Sequence, residues 1–90
     1  MKTIKQAAQY VLQSLPPEMV ILPSVVEEEI FELMMDQVED QLTGEDIAML
    51  EKHIDDIAFS EKYLSQKIPN FFTLLDQTVV NYIAANSLEQ

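Results

Sequence analysis

Residues 24–47 read SVVEEEIFELMMDQVEDQLTGEDI, a pattern typical of an amphipathic helix that ends in a turn. At about 100° per residue, the apolar side chains fall on one half of the helix and most of the carboxylates on the other. The apolar half comprises Val26, Ile30, Phe31, Met34, Val38 and Leu42, and the acidic half comprises Glu28, Glu32, Asp36, Glu39 and Asp40. An apolar arc this wide predicts a helix at the centre of a bundle.

The ends of this helix also carry sequence signals. Ser24 precedes Glu27 by three residues, which is the spacing of a capping box, so we expect Ser24 to cap the helix. Gly44 is the only glycine in the chain and is expected to stop the helix at its other end. Thr43 is then placed to cap the following helix, which is the third predicted in the chain. A connection this short predicts an antiparallel helical hairpin.

The chain before the hairpin predicts one further helix. Thr3 is placed to cap it, and Pro16 and Pro17 end it. Its apolar residues follow helical spacing: Ile4, Ala7, Ala8, Val11, Leu12 and Leu15. The run at 18–22 is too short for a helix, and we expect a connector packed on the core. The alternative is an extended segment offered to a partner.

After the hairpin, caps and prolines divide the rest of the chain. The third helix carries a narrow apolar stripe of Ile47, Leu50, Ile54, Ile57 and Ala58. A longer helix would place Glu61 on this stripe, so we expect a break near Phe59 and Ser60, with Ser60 capping a short fourth helix that Pro69 ends. Asn70 caps the last helix, whose apolar residues are Phe71, Phe72, Leu74, Leu75, Val79, Tyr82 and Ile83.

These signals predict an all-α protein, a compact bundle of four main helices plus one short helix, in a single domain over residues 1–90. No alternation of apolar and polar residues is long enough to compete as a strand. Alanine at Ile30, Phe72 or Leu75 is therefore expected to cost roughly 2 to 5 kcal/mol of stability.

The net charge of −11 is concentrated in residues 27–56, which hold twelve of the sixteen acidic residues and one of the five lysines. Because the chain is strongly negative and has no arginine, direct binding to a nucleic-acid backbone is disfavoured. The N-terminal residues form no continuous apolar segment like those of signal peptides or membrane spans. We expect a soluble, cytoplasmic protein that binds neither nucleic acid nor membrane directly.

Residues with catalytic or metal-binding chemistry are few. The chain has no cysteine, and its single histidine, His53, lies at the edge of an apolar stripe without a positioned nucleophile. Calcium loops starting at Asp36 or Asp40 fail at required positions, including the glycine. A di-metal site in the bundle would need Glu-x-x-His pairs, which one histidine cannot supply. We expect no enzymatic activity, no metal ion and no cofactor.

Carboxylates of the hairpin are the strongest candidates for a binding site. Like charges at i,i+4, such as Glu28 with Glu32, cost about 0.2 to 0.5 kcal/mol per pair, and four such pairs cost roughly 1 to 2 kcal/mol before salt screening. A small domain that keeps this repulsion can use the charge to attract a basic partner. The candidate residues are Glu28, Glu32, Asp36, Glu39, Glu51, Asp55 and Asp56.

The resulting hypothesis is a non-enzymatic protein-interaction module whose acidic hairpin binds a basic surface of another protein. One form is an inhibitor or nucleic-acid mimic, by analogy with phage-type inhibitors. Two alternatives stay open: the acids serve only solubility, or the chain is a structural or self-associating helical domain with no specific ligand. In the second alternative, Met49, Val80 and Ala84 project from polar helix sides and mark an interface of a homo-oligomer only if the fold brings them together.

Two segments carry a resemblance to other proteins: TGEDI at 43–47, running on to Leu50, and YLSQKIPNF at 63–71, running on to Tyr82. With the acid-rich helix, they resemble small acidic helical proteins of bacterial genomes that are grouped as a domain of unknown function. The resemblance covers roughly residues 24–86 and implies no activity, ligand or catalytic residue.

Overall fold

The computed structural model describes residues 3–16 and 21–87, and regular secondary structure within them is helical, with no strand. The helices are α1 (Ile4–Ser14), α2 (Pro23–Val38), α3 (Gly44–Lys52), α4 (Ile57–Lys67) and α5 (Phe71–Ser87), and a 3₁₀ turn (Glu39–Gln41) follows α2. The prediction of an all-α fold is confirmed. The shortest α-helix among the described residues is α3 with nine residues, whereas α4, which the sequence predicts to be short, has eleven.

Two side chains satisfy backbone N–H groups at the start of α1. Thr3 caps the helix as predicted, because its Oγ1 accepts from the N–H of Gln6 at 3.0 Å. Glu61 of α4 accepts from the N–H of Ile4, which ties α4 to α1. Burial raises the pKa of Glu61; the hydrogen bond from Ile4 opposes the shift, and the charge of Glu27 adds to it.

The connector between α1 and α2 is described only in part. Residues 17–20 lie outside the described ranges, so most of the predicted connector cannot be compared with the structure. Of its described positions, Ile21 packs partly buried against the core, and Leu22 is 65% exposed.

Helix α2 begins at Pro23, one residue before the cap that the sequence predicts. Its N-cap is Leu22, which makes no side-chain hydrogen bond to the helix. The predicted capping box of Ser24 and Glu27 is therefore wrong. Proline suits this first position because its φ is already helical and its missing N–H would have had no intrahelical acceptor.

The connection from α2 to α3 is a 3₁₀ turn followed by a capping box. The α-helix stops at Val38, so Leu42, which the sequence places on the apolar half of this helix, lies beyond its end. Thr43 Oγ1 accepts from the N–H of Asp46 at 3.1 Å, and Asp46 Oδ2 accepts from the N–H of Thr43 at 3.0 Å, so the predicted cap is present. The expectation that Gly44 stops α2 is wrong, because Gly44 is the first residue of α3 and its φ is not positive.

The boundary between α3 and α4 lies earlier in the chain than the sequence predicts. A loop at 53–56 separates the helices, and Asp56 caps α4 by accepting from the N–H of Phe59 at 3.0 Å. The predicted break at Phe59 and Ser60 is therefore wrong. Aspartate and serine cap equally well, so capping preference does not decide between them. Packing decides where the helix begins, because Ser60 and Leu64 are both buried inside α4.

Helix α2 supplies one face of the hydrophobic core. It packs against both α1 and α5, which also contact each other. Its fully buried side chains are spaced four residues apart and are Val26, Ile30, Met34 and Val38. Helix α3 is not among the closely packed partners of α2, so side-by-side packing of these two helices, as a compact hairpin would require, is not observed.

Polar contacts fix α5 against α2. Gln37 Nε2 donates to Thr78 Oγ1 at 2.6 Å, and the Thr78 hydroxyl donates to the sulfur of Met34 at 3.3 Å. The Tyr82 hydroxyl donates to Glu29 at 3.1 Å. Because the earlier residue of α2 contacts the later residue of α5, the two helices are antiparallel. Burial, followed by the hydrogen bond to Glu29, raises the pKa of Tyr82 to about 12.

Two adjacent phenylalanines at the start of α5 have different environments. Phe71 is 1% exposed and Phe72 is 44% exposed. Neighbouring helical residues point about 100° apart, so one ring can face the core while the next faces its boundary. The prediction that Phe72 belongs to the core is therefore wrong, whereas Leu75, Val79 and Tyr82 are buried as predicted.

One hydrophobic cluster receives side chains from all five helices. Among the described residues, no helix is both long enough and apolar enough to cross a membrane. The cytoplasmic location and the single domain over residues 1–90 stay predictions.

The two phenylalanines provide a matched test of the core. Phe71→Ala is expected to cost about 3 to 5 kcal/mol, because it empties a fully buried site. Phe72→Ala should cost only about 1 kcal/mol, because much of that ring is already in water. Urea unfolding of both variants, followed by circular dichroism, measures the difference, and equal losses would contradict this assignment of the core.

Candidate functional site

All seven carboxylates that the sequence predicts as binding residues are exposed. Helix α2 and the 3₁₀ turn carry four of them, α3 carries one, and the loop at 53–56 carries two. We call this set the acidic surface: Glu28, Glu32, Asp36, Glu39, Glu51, Asp55 and Asp56. Of these, Asp56 also caps α4, so it cannot be changed without disturbing that helix.

Fewer like-charge pairs lie within a helix than the sequence predicts. Glu28 with Glu32, and Glu32 with Asp36, are i,i+4 pairs inside α2. The other two predicted pairs, Asp36 with Asp40 and Glu51 with Asp55, extend past the ends of α2 and α3. The helical repulsion is therefore about 0.4 to 1 kcal/mol before salt screening, roughly half of the predicted cost.

Lysine side chains do not compensate this charge within the described residues. In 3–16 and 21–87, no carboxylate of the acidic surface forms an ion pair with a lysine. Lys67 Nζ lies 3.6 Å from Asp46 Oδ1 instead. Lys67 is at the opposite end of α4 from the loop at 53–56. The negative field of the acidic surface is thus not cancelled by neighbouring lysines of this part of the chain.

The loop at 53–56 and the start of α4 lie beside the middle of α2 and form an open depression with it. The depression has a volume of about 360 Å³. Three carboxylates and three apolar side chains line it: Glu28, Glu32 and Asp55, with Phe31, Ile54 and Ile57. The structure therefore brings together residues of α2, of the loop and of the start of α4. The other four carboxylates of the acidic surface do not line this depression: Asp36, Glu39, Glu51 and Asp56.

Ile54 is the residue of the depression that departs most from its predicted role. Its spacing from Leu50 places it on the apolar stripe of the third helix, but α3 ends at Lys52 and Ile54 is 66% exposed. The prediction of a buried Ile54 is therefore wrong. An exposed isoleucine beside carboxylates gives the acidic surface an apolar component that the sequence pattern does not reveal.

Aromatic stacking positions the loop that carries Ile54 and Asp55. The ring of His53 stacks on Phe59 with centroids 3.8 Å apart, and Phe59 is followed by Tyr63 at 6.1 Å. His53 therefore packs against α4. Within the described residues, no group of three or more histidine and acidic side chains is arranged to hold a metal ion.

Asp46 is a buried carboxylate with several partners, and the sequence pattern alone predicts no role for it. Besides its bonds with Thr43, its Oδ1 accepts from the Tyr63 hydroxyl at 2.6 Å. Lys67 approaches the same oxygen, and its ammonium lies 5.8 Å from the centre of the Tyr63 ring. These contacts join the start of α3 to α4. The spacing of Thr43 and Asp46 could have revealed the capping box, but the contact with Tyr63 depends on the tertiary fold.

The partners of Asp46 stabilise its ionised form. Hydrogen bonds from Tyr63 and Thr43 lower the pKa of Asp46 from 3.8 to about 2; burial opposes the shift and the charge of Lys67 assists it. The ionised carboxylate is therefore part of the folded structure throughout the physiological pH range.

No protein-family model matches the chain, and no match is found among the curated proteins or the solved structures. The resemblance to small acidic bacterial proteins stays a prediction.

Asp46 makes a prediction about acid stability. The pKa of Asp46 is about 2 in the folded state, below its ordinary value of 3.8. Ionised Asp46 therefore contributes fully to folding stability above the unfolded-state pKa, and this contribution is lost as pH falls through the folded-state pKa. Asp46→Asn should remove this component, so the wild type should lose more stability than the variant between about pH 5 and pH 2. Urea unfolding at several pH values measures this difference.

Tyr63→Phe is the control for the same experiment. It removes the largest cause of the lowered pKa of Asp46 and leaves the carboxylate in place. Its stability should therefore depend on pH less steeply than that of the wild type and more steeply than that of Asp46→Asn. Parallel pH profiles for all three proteins would show that the pKa of Asp46 is not lowered by folding.

Proposed function

We propose that the protein is a non-enzymatic interaction module whose acidic surface binds a basic surface of another protein. The observation that carries the proposal is the set of exposed carboxylates without ion-paired lysines in the described part of the chain. Such a set leaves a directional negative field, which attracts a cationic partner and orients it during encounter. Because exposed charges are screened by salt, the association weakens as ionic strength rises.

A nucleic-acid mimic is a narrower form of this proposal. Glu28, Glu32 and Asp36 repeat every four residues, which is about 6 Å along a helix axis. One strand of B-DNA carries a phosphate about every 3.4 Å along its axis. Per unit of axial length, the row on α2 alone therefore carries fewer charges than one strand of B-DNA. Mimicry would require Glu51 and Asp55 to supply further charges.

Removal of charge should separate binding from folding. The variant Glu32→Gln, Asp36→Asn, Asp55→Asn is expected to keep the circular dichroism spectrum of the wild type, because all three side chains are exposed. It should capture much less of the natural partner from a native cell lysate at physiological salt, as measured by affinity purification with quantitative mass spectrometry.

A matched variant controls for net charge. Glu45→Gln, Asp76→Asn, Glu89→Gln removes the same number of charges at positions that do not belong to the acidic surface. It should retain the partner. If both triple variants retrieve the same proteins as the wild type, the acids serve solubility and the proposal is wrong; if both lose them equally, net charge rather than this surface is responsible.

Exposed apolar residues on α5 favour a second candidate, a self-associating helical domain. Phe72, Val80 and Ala84 are exposed, and at about 100° per residue they lie within about 120° of one another around the helix axis, on one side of α5. Val80 is 62% exposed. Contact between copies would cover these residues.

Sedimentation velocity distinguishes the two candidates. Under the leading proposal, the wild-type chain is a monomer at micromolar concentrations, because its net charge of −11 opposes self-association. A dimer that Val80→Glu disperses, and that Leu33→Glu on the exposed side of α2 does not, would instead support self-association through α5.

A further inference from the structure

The depression formed by α2 and the loop at 53–56 combines two kinds of chemistry. Its apolar lining consists of Phe31, Ile54 and Ile57, and its carboxylates are Glu28, Glu32 and Asp55. A surface that serves solubility alone has no need of an apolar lining, and a purely hydrophobic contact has no need of three carboxylates. The combination matches a ligand with an apolar stem and a cationic end.

We propose that this depression receives an arginine side chain from the basic partner protein. The inference rests on the proposed function and names the group that the acidic surface recognises. The methylene stem of arginine packs on Ile54 and Ile57, as long cationic side chains do on apolar surfaces. The guanidinium group lies near Phe31 and donates hydrogen bonds to the surrounding carboxylates.

The composition of the depression favours arginine over lysine. A guanidinium group is planar, stacks on aromatic rings and donates five N–H groups in a fixed arrangement that fits carboxylates. An ammonium group is compact and strongly hydrated, so it loses more on leaving water for an apolar surface. Phe31 together with carboxylates from two segments of the chain therefore suits the guanidinium better.

The size and openness of the site are consistent with a side chain on a protein surface. The volume of about 360 Å³ lies near the lower end of the range of about 300 to 1,000 Å³ for small-ligand pockets. One arginine side chain fits with room for part of the adjoining backbone. Carboxylates outside the depression, such as Asp36 and Glu39, would then attract the surrounding basic surface without contacting this arginine.

Amide chemical shifts of the full-length protein can test the site with defined probes. The probes are three acetylated and amidated tripeptides, Ala-Arg-Ala, Ala-Lys-Ala and Ala-citrulline-Ala, the last being a neutral analogue of the first. The arginine peptide should cause saturable shifts at Phe31, Glu32, Ile54 and Asp55. The lysine peptide should bind about fivefold more weakly, and the citrulline peptide at least about tenfold more weakly.

Variants of exposed residues separate this inference from the proposed function. Ile54→Ser removes the apolar surface without changing charge, and it should weaken binding of the arginine peptide by about fivefold. Leu33→Ser is its matched control, since Leu33 is exposed and does not line the depression. Glu32→Gln should weaken binding as Ile54→Ser does, whereas Asp36→Asn should have little effect.

Three other results would each contradict the proposal of an arginine site. Equal losses in Glu32→Gln and Asp36→Asn, with none in Ile54→Ser, would mean diffuse attraction to the acidic surface, and the proposed function would stand without the site. Equal binding of the arginine and lysine peptides would exclude recognition of the guanidinium. The absence of saturable shifts with any peptide would also exclude the site, while lysate capture by the charge variants would still decide the proposed function.

Discussion

Burial of one face of α2 is the constraint on which the rest of the structure depends. Its buried side chains are Val26, Ile30, Met34 and Val38, and they pack between α1 and α5. Glu28, Glu32 and Asp36 each follow one of these residues by two positions, which is about 200° around the helix. The packing that forms the core therefore directs these carboxylates away from it, and their charge can change with little effect on the core.

The helical pattern could be predicted from the sequence, but the helix boundaries could not. Apolar spacing is a sum over many residues, so single local errors do not remove a helix. A boundary depends on one or two residues, and several good capping residues compete at each end. Helix α2 begins at Pro23 rather than after Ser24, because proline suits the first helical position. Helix α4 begins after Asp56 rather than after Ser60, because Ser60 is buried inside the helix.

The candidate site shows the same limit at the level of single side chains. Exposure of the carboxylates on α2 follows from helical geometry, but three consecutive glutamates have three different neighbours. Glu27 is partly buried, and its charge adds to the raised pKa of Glu61. Glu28 lines the depression, and Glu29 accepts a hydrogen bond from the Tyr82 hydroxyl. Only tertiary structure distinguishes them. The early end of α3, which exposes Ile54, and the contact of Asp46 with Tyr63 likewise depend on how α3 and α4 meet.

The acidic surface and the arginine site would contribute to recognition in different ways. Attraction between separated charges acts over roughly a Debye length of 8 Å at physiological salt and mainly accelerates encounter. Contact of a side chain with Phe31 and Ile54 acts only after encounter, and such contacts mainly slow dissociation. The loop at 53–56 takes part in both effects, because it carries both Asp55 and Ile54. The stacking of His53 on Phe59 and the cap formed by Asp56 hold this loop against α4. A loop held by such contacts loses less conformational freedom on binding than an unconstrained loop, so more of the contact energy is available for affinity.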